Sequence, residues 1–137
     1  MLNGVVDRYP GARIILSHGG GFLPYASLRF AELARVFNPA AASPDAILAS
    51  FRRFYFDTAL SSGAALPTLK AFASPGHMLF GTDSPYDHGA SAAFTAALDA
   101  TDSLTADDQT AISHRNVQVL FPRLASHPTA AADHRRQ

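Results

Sequence analysis

The chain has 137 residues, 11 acidic and 11 basic side chains, six His and no Cys. The zero formal charge gives no electrostatic basis for binding nucleic acid or an anionic membrane. The lack of Cys excludes disulfide frameworks and thiolate metal sites, and no run approaches the roughly 18 apolar residues of a membrane span. Met1-Leu2-Asn3-Gly4 lacks the basic start and long apolar stretch of a secretory signal, so a soluble cytoplasmic protein is expected.

The apolar fraction of 47% is inflated by Ala, and the ten Phe are the stronger core candidates because each ring buries a large area. Arg13-Ile14-Ile15-Leu16-Ser17 follows the turn pair Pro10-Gly11 and reads as a strand over 13–17. Its continuous apolar run predicts a parallel strand covered on both faces. Leu28, Phe30, Leu33, Val36 and Phe37 recur at near-helical spacing, with Pro24 suited to the first turn and Asn38-Pro39 as the stop. Ser43-Pro44-Asp45 starts a helix reaching about Phe51, with Ser43 as N-cap. Phe54-Tyr55-Phe56 is a short aromatic strand ending at Asp57-Thr58. A weaker helix over 64–72 and a turn at Ser74-Pro75-Gly76 lead to a third strand, which begins at His77 and ends at Gly81-Thr82-Asp83. A helix over 91–98 follows. Thr105-Ala106-Asp107-Asp108 then resembles a capping box, with Asp in place of Glu, ahead of a last helix reaching Leu120. Residues 126–137 are small and polar and are expected to form a disordered tail.

Strand and helix alternate three times, which predicts an α/β fold with parallel strands. In such folds chemistry gathers at the C-terminal ends of the strands. Those ends carry His18-Gly19-Gly20-Gly21, Asp57-Thr58 and Gly81-Thr82-Asp83. The glycines let a ligand or another strand end approach the backbone closely. His-Gly-Gly-Gly is also an esterase oxyanion loop, but the Gly-x-Ser-x-Gly elbow that class needs is missing. A phosphate cradle is a weaker reading, since neither Gly-x-Gly-x-x-Gly nor a Walker sequence is present. His18 as a general acid/base or metal-site residue is the third, against a plain tight turn. Asp83 can hold a divalent cation or orient a water, or it can cap the turn before Pro85. Asp57 is assigned a local capping and turn role. His88 could line the same loop as Asp83, and His77 should lie at the far end of the sheet. His114, His127, His134 and the Arg52-Arg53 pair read as solvated.

Arg-Tyr-Pro-Gly (8–11), Ile-Ile-Leu-Ser-His-Gly-Gly-Gly (14–21), Phe-Asp-Thr-Ala (56–59), Leu-Phe-Gly-Thr-Asp-Ser-Pro (79–85) and Asn116 with Leu120-Phe121 occur in that order. The ordered set resembles the amidohydrolase-related family typified by aminocarboxymuconate-semialdehyde decarboxylase and γ-resorcylate decarboxylase. The resemblance implies a (β/α)8 barrel with one catalytic divalent metal, often zinc. Residues 1–125 would be its C-terminal half, with three parallel strands equivalent to barrel strands six to eight. A complete barrel takes about 250 residues. His18 matches the family's active-site His, which acts on metal-bound water or substrate. Asp83 matches the metal-binding Asp after the last strand. Arg29 matches a helix Arg that helps bind a substrate carboxylate across a dimer interface, and Gly19 and Gly20 would line the substrate site.

The family's His-x-His ligand pair is absent, as is the ligand His of the fifth strand. Catalytic zinc sites typically use three protein ligands, so this chain is expected to hold no metal stably and to be inactive alone. The expected function is therefore a fragment of a metal-dependent hydrolase or carboxy-lyase acting on a small carboxylated or cyclic substrate. Its partners would be a complementing N-terminal half or a second copy. Two alternatives stand beside it: a non-catalytic remnant or interaction module, and an α/β phosphate-binding domain built on the glycine loop.

Overall fold

The computed structural model describes residues 5–61, 63–86 and 89–125. The aromatic segment Tyr55-Phe56-Asp57 forms the centre of a three-stranded sheet, flanked by Ile15–Leu16 (β1) and Met78–Leu79 (β3), with Tyr55–Asp57 as β2. Both pairings are parallel. Ile15 and Leu16 face Tyr55 and Phe56, while Phe56 and Asp57 face Met78 and Leu79. The strands are shorter than their apolar runs, but their positions and order are those expected from the sequence.

Among the described residues seven α-helices accompany the sheet: Val5–Arg8 (α1), Leu23–Phe37 (α2), Pro44–Phe51 (α3), Ala65–Phe72 (α4), Ala90–Asp99 (α5), Ala106–Thr110 (α6) and Asn116–Leu120 (α7). The first is too short to carry a periodic signal and was not expected. The Ser43 hydroxyl accepts the Ala46 N–H, capping α3. At α6 the Thr105 hydroxyl accepts the Asp108 N–H while the Asp108 carboxylate accepts the Thr105 N–H. Asp thus serves in the capping box where Glu is usual.

The core lies between β2 and the helices. Phe56 is fully buried, and its ring meets Phe72 edge to face with centroids 5.9 Å apart. Met78, Leu69, Leu66, Phe51 and Ile112 are buried with it. Two expectations are corrected here. β1 is not covered on both faces, because Ile14 and Ile15 remain 38% and 41% exposed. The buried residues of α2 are Ala26, Ala31 and Ala34, while Leu28, Val36 and Phe37 point outward. Small side chains let α2 approach α3 and α4 closely, and that close packing overrides the preference of larger residues for the interior.

The two sheet edges differ. Residues 111–115 form a π turn between α6 and α7, and the Ile112 carbonyl accepts the N–H of Phe80 just beyond β3. The buried Asn116 amide donates to the Met78 carbonyl at 2.8 Å. No strand among the described residues pairs with the outer edge of β1. Among the described residues no helix is long and apolar enough to cross a membrane. The expected tail at 126–137 lies outside the described residues.

Phe56→Ala should cost about 3–5 kcal/mol, the range for emptying a packed aromatic site, and urea denaturation followed by circular dichroism would measure it. A second test concerns Asp108, whose carboxylate accepts from the Lys70 ammonium at 2.7 Å. That bond, with those from the Thr105 amide and hydroxyl, lowers the Asp108 carboxyl from 3.8 to about 2. The folded value is the lower one, so the contribution is present above the unfolded value and is lost as pH falls towards about 2. Lys70→Met should lower the urea midpoint at neutral pH and shrink its fall between about pH 6 and about pH 2.5.

Candidate active site

Each strand hands the chain to a tight turn at its C-terminal end. After β1, Ser17 leads into a 3-10 turn over His18–Gly20. His18 takes a φ of 54°, and Gly19, Gly20 and Gly21 also have positive φ. After β3, Asp83 takes a φ of 60°. Non-glycine residues in this left-handed region are uncommon, and they gather at functional turns where the surroundings hold them. Among the described residues only Leu60 joins His18 and Asp83 in it.

These turns bring the two expected site residues together. His18 Nε2 lies 3.7 Å from Asp83 Oδ1, with the side chains 45% and 24% exposed. The spacing is too long for a hydrogen bond, but it leaves both groups facing one accessible point. Asp57 lies on the strand between them. Its Oδ1 accepts the backbone N–H of His18 at 2.8 Å and that of Ala59 at 3.1 Å. The sequence reading missed the first of these bonds, because no local pattern marks a contact 39 residues away.

The glycines are used for packing. A Cβ on Gly19 would lie 2.7 Å from Ser61 Oγ, and one on Gly20 would lie 2.9 Å from the Phe56 ring. Around Gly21 the space is open. The N–H of Gly20 bonds the Ser17 carbonyl and that of Gly21 bonds the His18 carbonyl. A phosphate cradle needs free N–H groups, so the loop does not favour the phosphate-binding alternative. Arg29 is exposed on α2. His77 stacks on Tyr55 at 4.3 Å and meets the Phe54 carbonyl at 3.0 Å, at the opposite end of the sheet as expected. Arg53 pairs with Asp7 at 3.0 Å and donates to the Val6 carbonyl at 3.1 Å, so it is tied to α1 rather than simply solvated. His114 is exposed, whereas His88, His127 and His134 lie outside the described residues. A cavity of about 310 Å³ lined by Tyr9, Arg13, Arg53, Tyr55 and His77 shares no residue with the site.

Among the described residues no three His, Asp or Glu side chains converge where a metal ion could sit. His18 and Asp83 are two donors at most, and they do not fit a catalytic divalent ion by themselves.

Compared with known proteins, the chain matches the Amidohydrolase family model over residues 1–123. The chain belongs to the amidohydrolase family. It is 39% identical over 127 residues to a 6-methylsalicylic acid decarboxylase of Penicillium expansum, covering 90% of this chain and 39% of that one. It therefore spans about two fifths of the length of that relative. Among solved structures it resembles a 2,6-dihydroxybenzoate decarboxylase complexed with 2,6-dihydroxybenzoate, with a TM-score of 0.72 and 25% identity over 89% of this chain and 38% of the other. It also resembles a dihydroxybenzoic acid decarboxylase of Polaromonas sp. JS666 with bound manganese and the inhibitor 2-nitroresorcinol. There the TM-score is 0.69 and the identity 27%, over 87% of this chain and 36% of the other. The expected family is thereby shown, and the relatives named here are decarboxylases. A divalent metal is a property of the family.

Gly20→Ala should destabilise the chain by about 1–3 kcal/mol, because the new methyl group meets the buried Phe56 ring at a positive φ. Gly21→Ala meets open space and carries only the backbone cost. Urea midpoints of the two variants compared with the parent would check the order.

Proposed function

We propose that this chain carries part of the active site of a carboxy-lyase acting on a hydroxylated aromatic carboxylate. One observation carries the reading. His18 and Asp83 meet 3.7 Å apart at the C-terminal ends of the first and third of three parallel strands, in a family member related to a 6-methylsalicylic acid decarboxylase. In this reading the strands correspond to strands six to eight of a (β/α)8 barrel. The remaining donors and pocket walls come from polypeptide outside these 137 residues, in the same chain or in a partner.

Loss of carbon dioxide from an arene requires a proton at the ring carbon that bears the carboxylate. The bond to the carboxylate carbon then breaks, its electron pair returns to the ring and carbon dioxide leaves. His18 is assigned the proton delivery. Its imidazole is partly exposed, and its backbone is fixed by the Asp57 bond. The Asp83 carboxylate lies beside the imidazole nitrogen and is assigned to a divalent metal once other donors join it. Such a metal, zinc or manganese, would supply charge to hold the substrate's carboxylate and adjacent oxygen. Arg29, exposed on α2, is assigned to the substrate carboxylate from a second copy. Gly19 and Gly20 form the floor beside His18.

The test is a chimera in which this chain replaces the matched region of the Penicillium expansum relative. It should release carbon dioxide from 6-methylsalicylate, and His18→Asn should lower the rate at least about 100-fold, the scale of general acid–base catalysis. A chimera that folds and binds metal yet releases none would favour the non-catalytic remnant. Separately, the isolated chain should not retain stoichiometric zinc or manganese after desalting. One tightly held ion per chain by elemental analysis would overturn the ligand assignment. The open β1 edge and the exposed Ile14 and Ile15 should make the isolated chain associate. Light scattering that found a monodisperse monomer would count against the partial-barrel reading.

A further inference from the structure

Asp57 looks like a local turn residue, and part of its bonding is local. Its Oδ1 accepts the N–H of Ala59 two positions on. The same oxygen also accepts the N–H of His18, and that bond is the shorter at 2.8 Å. On its other side Asp57 is pressed against the turn that delivers Asp83. A Cβ built on Gly81 would lie 2.9 Å from Asp57 Cβ and 3.0 Å from its Cγ. Gly81 is held there by its own N–H bond to the Thr58 hydroxyl at 3.3 Å. One side chain is therefore wedged between the chain carrying His18 and the chain carrying Asp83.

The backbone explains why the wedge matters. His18 at φ 54° occupies a conformation that costs a side-chain-bearing residue energy. A carboxylate accepting its N–H is a charge-assisted bond, stronger than a neutral one. Without that acceptor His18 is free to return to an ordinary φ, which would swing the imidazole away from Asp83.

We propose that Asp57 is the positioning residue of this site: its Oδ1, bonded to the His18 N–H and seated against Gly81, sets the separation of the His18 imidazole and the Asp83 carboxylate. The assignment of those two groups as a carboxy-lyase site rests on the function proposed above, but the positioning does not. The acceptor oxygen does the work, so an amide in place of the carboxylate should suffice.

The experiment is NMR on the full 137-residue chain, reading amide hydrogen exchange and the nuclear Overhauser contact between the His18 imidazole and the Asp83 methylene. Asp57→Ala should speed His18 amide exchange by about 10- to 100-fold, the scale of a charge-assisted bond, and abolish the contact. The Tyr55 amide, bonded to the Ile14 carbonyl in the strand ladder, should be unchanged. Asp57→Asn keeps an acceptor oxygen but loses its charge, so it should keep the contact and speed His18 exchange by less than Asp57→Ala does. Gly81→Ala, which displaces Asp57 without removing its carboxylate, should reproduce Asp57→Ala. Unchanged His18 exchange and contact in Asp57→Ala overturn the proposal. If that variant does not fold, an intact contact in Gly81→Ala or a lost one in Asp57→Asn overturns it equally. In the active chimera Asp57→Ala should lower kcat with KM within about threefold, and Asp57→Asn should restore it. An inactive chimera whose NMR contacts behave as stated would sink the carboxy-lyase reading and leave the positioning role standing.

Discussion

Crowding at the C-terminal end of β2 is the constraint on which the rest of the site depends. Phe56 points into the helical layer, fully buried, and its ring is also the surface on which Gly20 rests. Asp57, the next residue, points the other way, as alternation along a strand requires. Its carboxylate bonds the His18 N–H, and its Cβ fills the space beside Gly81. Two consecutive side chains thus connect the hydrophobic core to the turns that carry His18 and Asp83. A change in how β2 packs would be felt at His18 and Asp83 alike.

The strain at those turns is held by hydrogen bonds that close each turn upon itself. The N–H groups of Gly20 and Gly21 bond the carbonyls of Ser17 and His18, and the Tyr86 N–H bonds the Asp83 carbonyl. Holding a residue in a sparsely populated backbone region costs on the order of 1–3 kcal/mol, so both site residues sit where the fold loses stability to place them. The buried Ser61 beneath Gly19 and the Phe56 ring beneath Gly20 keep the loop from sinking towards the sheet. Packing below, the turn's own bonds and the Asp57 bond together leave His18 one position.

The two edges of the sheet differ in how their backbone groups are satisfied. Beyond β3 the polypeptide closes its own edge. The π turn at residues 111–115 has lost the regular α-helical bonding, and its Ile112 carbonyl accepts the Phe80 N–H. Beyond β1 no described residue does the same, and the isoleucines there stay partly exposed. The relative at 39% identity is about two and a half times longer than the region matched.

Much of this was legible in the sequence, because local physics suffices for it. Apolar runs ending in turn residues gave the three strands and their order. Ser43 and Thr105 marked helix starts through side chains that cap them. His18 and Asp83 were named because parallel strands present their C-terminal ends together. The tertiary structure decided what depends on distant neighbours. Which face of α2 is buried followed from the closeness of α3 and α4, and small Ala residues won over the larger apolar ones. Asp57 looked like a turn cap because its nearer bond is local, and only the fold brought His18 to it across 39 residues. Sequence spacing encodes what a segment does by itself, whereas the partner of a buried or bridging group is set by packing between segments.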